Sequence, residues 1–90
     1  MQFALICIDR PGHIEVRRQN REAHLAYVRE TGAVSLAGPF LDEAGEMAGS
    51  LVILDVADIE AARGWAANDP YARAGLFERT EIRPWKRVIG

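Results

Sequence analysis

Residues 49–56 read GSLVILDV, and every side chain from Leu51 to Leu54 is apolar. A short, β-branched run entered through Gly-Ser and left through Asp reads as a strand. An antiparallel strand with one solvated face alternates apolar and polar residues. This one does not: Leu51 and Ile53 on one side stand against Val52, Leu54 and Val56 on the other. Residues 2–8, QFALICI, repeat the pattern, with Phe3, Leu5 and Cys7 against Ala4, Ile6 and Ile8. Both strands are therefore expected in a sheet that is covered on both faces.

The other elements follow from punctuation. DRPGH (9–13) ends the first strand. Residues 14–31 lack Gly and Pro and are rich in Arg, Glu and Ala, so they predict a helix, closed by Gly32 at its C-terminus. AVSLAGPF (33–40) predicts a second strand, and LDEAGE (41–46) carries the turn residues of a hairpin into the third. Asp58 is placed to cap a second helix running to about Asn68, with Ile59, Ala62 and Ala66 on one face. DPYARAG (69–75) reads as a one-turn helix stopped by Gly75, and a last strand is expected near 76–83, before Pro84. The order β-α-β-β-α-β is that of an α+β, ferredoxin-like protomer, with two helices on one face of an antiparallel sheet. Two helices leave the other face open. A second copy of the same sheet is the simplest cover, so a homodimer is expected.

Composition narrows the classes of function. Ninety residues, 49% apolar and 27% charged, suit one domain spanning 1–90. A net charge of −2 gives no basic footprint, so nucleic acid is not an expected partner. No apolar run approaches the roughly 20 residues of a membrane span. The N-terminal stretch reads as a strand, not a signal peptide. The lone Cys7 has no internal disulfide partner, which fits a buried thiol in a reducing cytoplasm.

Among polar residues, His24 stands out. On the first helix it shares a side with Arg17, Arg21 and Val28, where basic residues give way to apolar ones, so a half-buried position is expected. Histidine suits acid–base work near neutrality, but a lone helical histidine also serves as a packed core residue. Arg17 and Arg21 are either a solvated basic face or an anion site beside the histidine. Asp69, before Pro70, is a favoured helix N-cap. A carboxylate has lone pairs to spare, so the same group could also accept from an imidazole N–H. Ser35 near the Gly-Pro pair, Tyr27 three residues after His24, and Tyr71 after Asp-Pro are further candidates. Each also has a plain structural role open to it. Phe40, Phe77 and Trp85 would either wall an aromatic pocket or serve the core or an interface. Trp65 reads as packing, and His13 as a solvated loop residue.

The stretches REAHLAYVRETGAVSLAGPF (21–40), GSLVILDV (49–56) and ANDPYARAGLFERTEIRPW (67–85) resemble the YciI-like (YCII-related) proteins. The R-x-x-H, G-P-F and D-P-Y-x-x-A-G-L motifs carry the likeness, which covers nearly the whole chain. The resemblance implies a ferredoxin-like protomer forming a dimeric α+β barrel. It also implies a pocket whose proposed active-site residues match His24 and Asp69. Most of the family has no known reaction; one similar protein removes chloride from a chlorinated hydroxyhydroquinone. Related barrels include isomerases, monooxygenases and stress-response proteins, so fold alone does not fix function.

The expectation is a small lyase or isomerase acting on an oxygenated, aromatic molecule. His24 would be base or acid, Asp69 would orient it, and Arg21 or Arg17 would hold an anion beside Tyr71, Phe40 and Ser35. Such chemistry needs neither metal nor organic cofactor, and the chain has no zinc-like spacing, G-x-G-x-x-G or P-loop. The competing expectation is a dimer or accessory module that binds a small metabolite without transforming it.

Overall fold

The computed structural model describes residues 1–90. Four strands, β1 (Gln2–Asp9), β2 (Val34–Leu41), β3 (Met47–Asp55) and β4 (Phe77–Trp85), form one antiparallel sheet in the order β2-β3-β1-β4. Three helices complete the chain: α1 (Ile14–Thr31), α2 (Ile59–Asn68) and the single turn α3 (Pro70–Arg73). The fold is α+β and ferredoxin-like, as the element order predicts.

Local chemistry sets the boundaries. Gly32 takes the left-handed conformation (φ 62°) and ends α1. Asp58 caps α2 by accepting from the Ala61 N–H at 2.8 Å. In the β2–β3 hairpin, Asp42 Oδ1 accepts from the N–H groups of Ala44 and Glu46. The last strand is longer than expected and passes through Pro84. β4 is an edge strand, where a residue without an N–H is tolerated on the outward side.

Strand parity sorts the sheet into two faces. Phe3, Leu5 and Cys7 pair in register with Leu54, Val52 and Ser50, and these side chains face the helices. Ala62, Trp65 and Ala66 of α2 close the core over the first of these pairs. α1 contributes differently: its only fully buried residues are Arg17 and His24. α2 therefore closes most of the hydrophobic core, to which α1 adds the partly buried Tyr27 and Val28, while the fully buried side chains of α1 are polar. The opposite face has no helix over it and leaves Ile6, Ile8 and Leu51 half-buried, while Ala4 and Ile53 on the same face are buried within the chain. No helix is long and apolar enough to cross a membrane.

One close approach is fixed by sequence. A side-chain carbon on Gly49 would lie 2.4 Å from the Cys7 carbonyl oxygen and 3.0 Å from the Phe40 ring. Only glycine lets β3 pass β1 at that separation.

Candidate active site

Asp69 lies at the junction of α2 and α3 and is 2% exposed. Its Oδ1 accepts from the Tyr71 backbone N–H at 3.0 Å, which caps α3. The same oxygen lies 2.8 Å from His24 Nδ1. Since the carboxylate already acts as acceptor, Nδ1 is the donor in this pair. The capping role and the histidine contact coexist on one oxygen. His24 is more buried than its sequence context suggests, at 7% exposure. Its Nε2 has no protein partner, yet no side-chain nitrogen or oxygen is both buried and unpaired, so Nε2 reaches solvent.

The imidazole lies on a cavity of about 210 Å³ between α1 and the β2–β3 side of the sheet. Arg17, Arg21, Ser50 and Tyr71 supply its other polar groups. Leu25, Pro39, Met47 and Val52 supply apolar wall. A cavity of about 150 Å³ holds benzene, so this one suits a single substituted ring. A larger groove of about 690 Å³, between Tyr27 and Arg73, is open to solvent and contains neither His24 nor Asp69.

The two candidate arginines differ. Arg17 is 2% exposed and grips Asp9 with a two-pronged ion pair, Nε to Oδ2 at 2.7 Å and Nη2 to Oδ1 at 2.8 Å. Its Nη2 also donates to Ser50 Oγ at 3.0 Å, and its guanidinium carbon sits 4.6 Å from the Tyr71 ring centre. Burial works against the charge on Arg17, but the Asp9 pair outweighs it and holds the guanidinium more firmly protonated than usual. Arg17 is thus a neutralised, structural cation. Arg21 is exposed at the cavity edge and has no carboxylate partner. Arg21 is therefore the cavity-lining cation that no carboxylate holds.

Tyr71 stacks on His24 and meets Phe77 edge-on, with ring centres 6.1 Å apart. Burial raises its phenol above the ordinary value, against the pull of Arg17, so it stays a neutral hydroxyl.

Other candidates fall elsewhere. Ser35 is exposed and accepts from Gln2 Nε2 at 3.1 Å, outside the cavity. It sits where the β2 register shifts between Val34 and Leu36, and that shift turns it away. Phe40 pairs with Gly49 and fills the space beside it, so it does not line the cavity either. Tyr27 donates to the Trp65 carbonyl at 2.8 Å, and Trp65 Nε1 donates to Thr31 Oγ1 at 2.9 Å; both residues tie α1 to α2. Trp85 ends the edge strand opposite Gln2. His13 precedes α1 with its ring on the Pro11 carbonyl at 3.0 Å. Asp9 and Ser50 were not among the sequence candidates. No three His, Cys, Asp or Glu side chains gather into a set that could hold a metal ion.

This geometry can be set beside known proteins. A family model described as the YCII-related domain matches residues 1–86. The chain belongs to the YCII-related family. Within it, protein YciI of Escherichia coli O6:H1 is 34% identical, over 99% of this chain and all of that protein. An uncharacterized protein of Haemophilus influenzae is 36% identical over the same shares. Among solved structures, the 5-chloro-2-hydroxyhydroquinone dehydrochlorinase of Burkholderia phenoliruptrix, in complex with 2,5-dihydroxybenzoquinone, is 33% identical. It superposes with a TM-score of 0.88, over 98% of this chain and 96% of that one.

Proposed function

We propose that this chain is an acid–base enzyme of the lyase or isomerase type, acting without a cofactor on a hydroxylated monocyclic ring. The observation that carries the reading is the buried Asp69–His24 hydrogen bond, beside a ring-sized cavity edged by the unpaired Arg21. Asp69 fixes Nδ1 as the protonated nitrogen and steadies the imidazolium that forms when Nε2 takes a proton. Arg21 attracts the resulting oxyanion. The similar dehydrochlorinase supports a ring of this class.

Only proton transfers are required. Nε2 removes a ring hydroxyl proton, the electron pair passes into the ring, and the imidazolium returns the proton to a ring carbon to give the keto tautomer. If that carbon bears chlorine, a second hydroxyl loses its proton and its electron pair expels chloride through the ring. The net change is loss of HCl, and the carbon–chlorine bond is the internal electron acceptor.

The helix-free sheet face fits pairing with a second copy, which would finish burying the half-buried Ile6, Ile8 and Leu51. Light scattering should then give twice the chain mass; the chain mass alone would refute the dimer. A cytoplasmic setting suits the lone reduced Cys7.

The test is exchange of ring C–H for deuterium in hydroxyhydroquinone, followed by NMR in oxygen-free D₂O. The wild type should accelerate exchange, and His24→Ala should lower the acceleration about 100-fold or more. Equal acceleration by His24→Ala, or none by the wild type, would refute the reading. A binding-only role draws on one observation: the cap, the dyad and the Tyr71 stack already form a satisfied network without a ligand. It predicts saturable binding of the ring with no exchange.

A further inference from the structure

Ser50 interrupts the apolar run of β3, facing the helices beside Val52 and Leu54, and is 6% exposed. Its Oγ accepts from Arg17 Nη2 at 3.0 Å. A serine hydroxyl has one hydrogen to donate besides its lone pairs. No protein acceptor takes that hydrogen, and Ser50 lines the cavity that holds His24. Arg17 is in turn held by both oxygens of Asp9, so the guanidinium has little freedom. The series Asp9, Arg17, Ser50 ends in a hydroxyl polarised by a cation and free to donate into the cavity.

We propose that Ser50 donates this hydrogen bond to an oxygen of the ring substrate, a phenolate or enolate oxygen, and that Asp9 is a positioning residue acting through Arg17. Arg17 cannot serve the ligand as a free cation because Asp9 neutralises it. It serves instead by withdrawing charge from the Ser50 oxygen and fixing its direction. Arg21 then supplies the attraction for the anion, and Ser50 supplies its placement. The substrate class follows: one planar ring, about one negative charge, and an oxygen at the Ser50 end of the cavity.

The identity of the oxygen rests on the acid–base reading, but the contact is tested by binding alone. The probe is 2,5-dihydroxybenzoquinone, titrated calorimetrically into wild type, Ser50→Ala and the control Ser35→Ala. Loss of one charge-assisted hydrogen bond should raise Kd about tenfold in Ser50→Ala. Ser35→Ala, the same loss of a hydroxyl but outside the cavity, should bind within about threefold of wild type. Unchanged binding by Ser50→Ala, or no binding by the wild type at millimolar probe, overturns the proposal. Binding that depends on Ser50 without any ring exchange would sink the catalytic reading and leave this contact standing.

The role of Asp9 is read from a double-mutant cycle of Asp9→Asn with Ser50→Ala. If Asp9 acts through Ser50, its effect on Kd is largely lost once Ser50 is alanine. Additive effects would reduce Asp9 to a structural ion pair. Should Asp9→Asn not fold, Arg17→Lys takes its place in the cycle: it keeps a charge beside Asp9 and loses the fork that reaches Ser50.

Discussion

Tyr71 lies almost flat against His24, with ring centres 4.1 Å apart and planes 13° from parallel. Its backbone N–H donates to the same Asp69 oxygen that meets the histidine. The imidazole is therefore held on one face by a ring and at one edge by a carboxylate, both from a three-residue segment. Replacing Tyr71 by Phe should keep the stack, with stability changed by under about 1.5 kcal/mol. Tyr71→Ala should cost about 3–5 kcal/mol. Urea unfolding measures both, and the ring-current shift of the His24 Hε1 proton should survive only in the Phe variant.

Asp69 carries a cap and an imidazole contact, so its substitutions should separate the two. Asn retains an acceptor for the Tyr71 N–H, and turnover should fall at least about tenfold with a small loss of stability. Ala should lose the cap, about 0.5–2 kcal/mol, and leave Nδ1 unpaired, about 1–3 kcal/mol more. A small stability change in Asp69→Ala would show that the shared oxygen holds neither partner firmly.

Gly49 has no room for a side chain beside the Cys7 carbonyl. Gly49→Ala would push β3 off the Cys7 carbonyl, with an expected cost of about 1–3 kcal/mol in urea unfolding. Ala48, next in the same strand, is only partly buried, so Ala48→Ser should change stability by about 0.5 kcal/mol or less and serves as the control.

Stability should decline in alkali. Burial pushes the Cys7 thiol from 9.0 up to about 12, and burial likewise raises Tyr27 and Tyr71 above 10.0. Each is a group whose folded form holds its proton more tightly than the unfolded chain does. Its contribution is complete below the unfolded value and lost as pH climbs through the folded one. The free energy of unfolding should thus fall between pH 9 and about 12, and Cys7→Ala should remove part of that slope. The thiol should also resist aromatic disulfide reagents at pH 8 until the protein is denatured.

Much of this was legible in the sequence. Turn residues and strand-length runs located every strand and helix of the ferredoxin-like order. The doubly apolar β1 and β3 marked a sheet with two faces to cover. His24 and Asp69 could be named, but their 2.8 Å approach is a tertiary fact spanning 45 residues. Asp9 read as punctuation after a strand. It continues the Phe3, Leu5, Cys7 set toward the helices, and Ser50 continues the Val52, Leu54 set, so period-two parity was the available signal. Ser35 was named for its place near the Gly-Pro pair and Phe40 for its ring, and neither signal shows the two register shifts of β2 against β3.

α1 hides a charged residue and a histidine where α2 hides alanines and a tryptophan. The two halves of the protein should therefore open at different free energies. Amide exchange should be fastest along α1 and slowest along β1, β3 and α2. A chain divided in this way can change its cavity by substitutions on one helix and leave the other to keep it folded. That separation would let a 90-residue scaffold diversify in chemistry while its architecture stays constant.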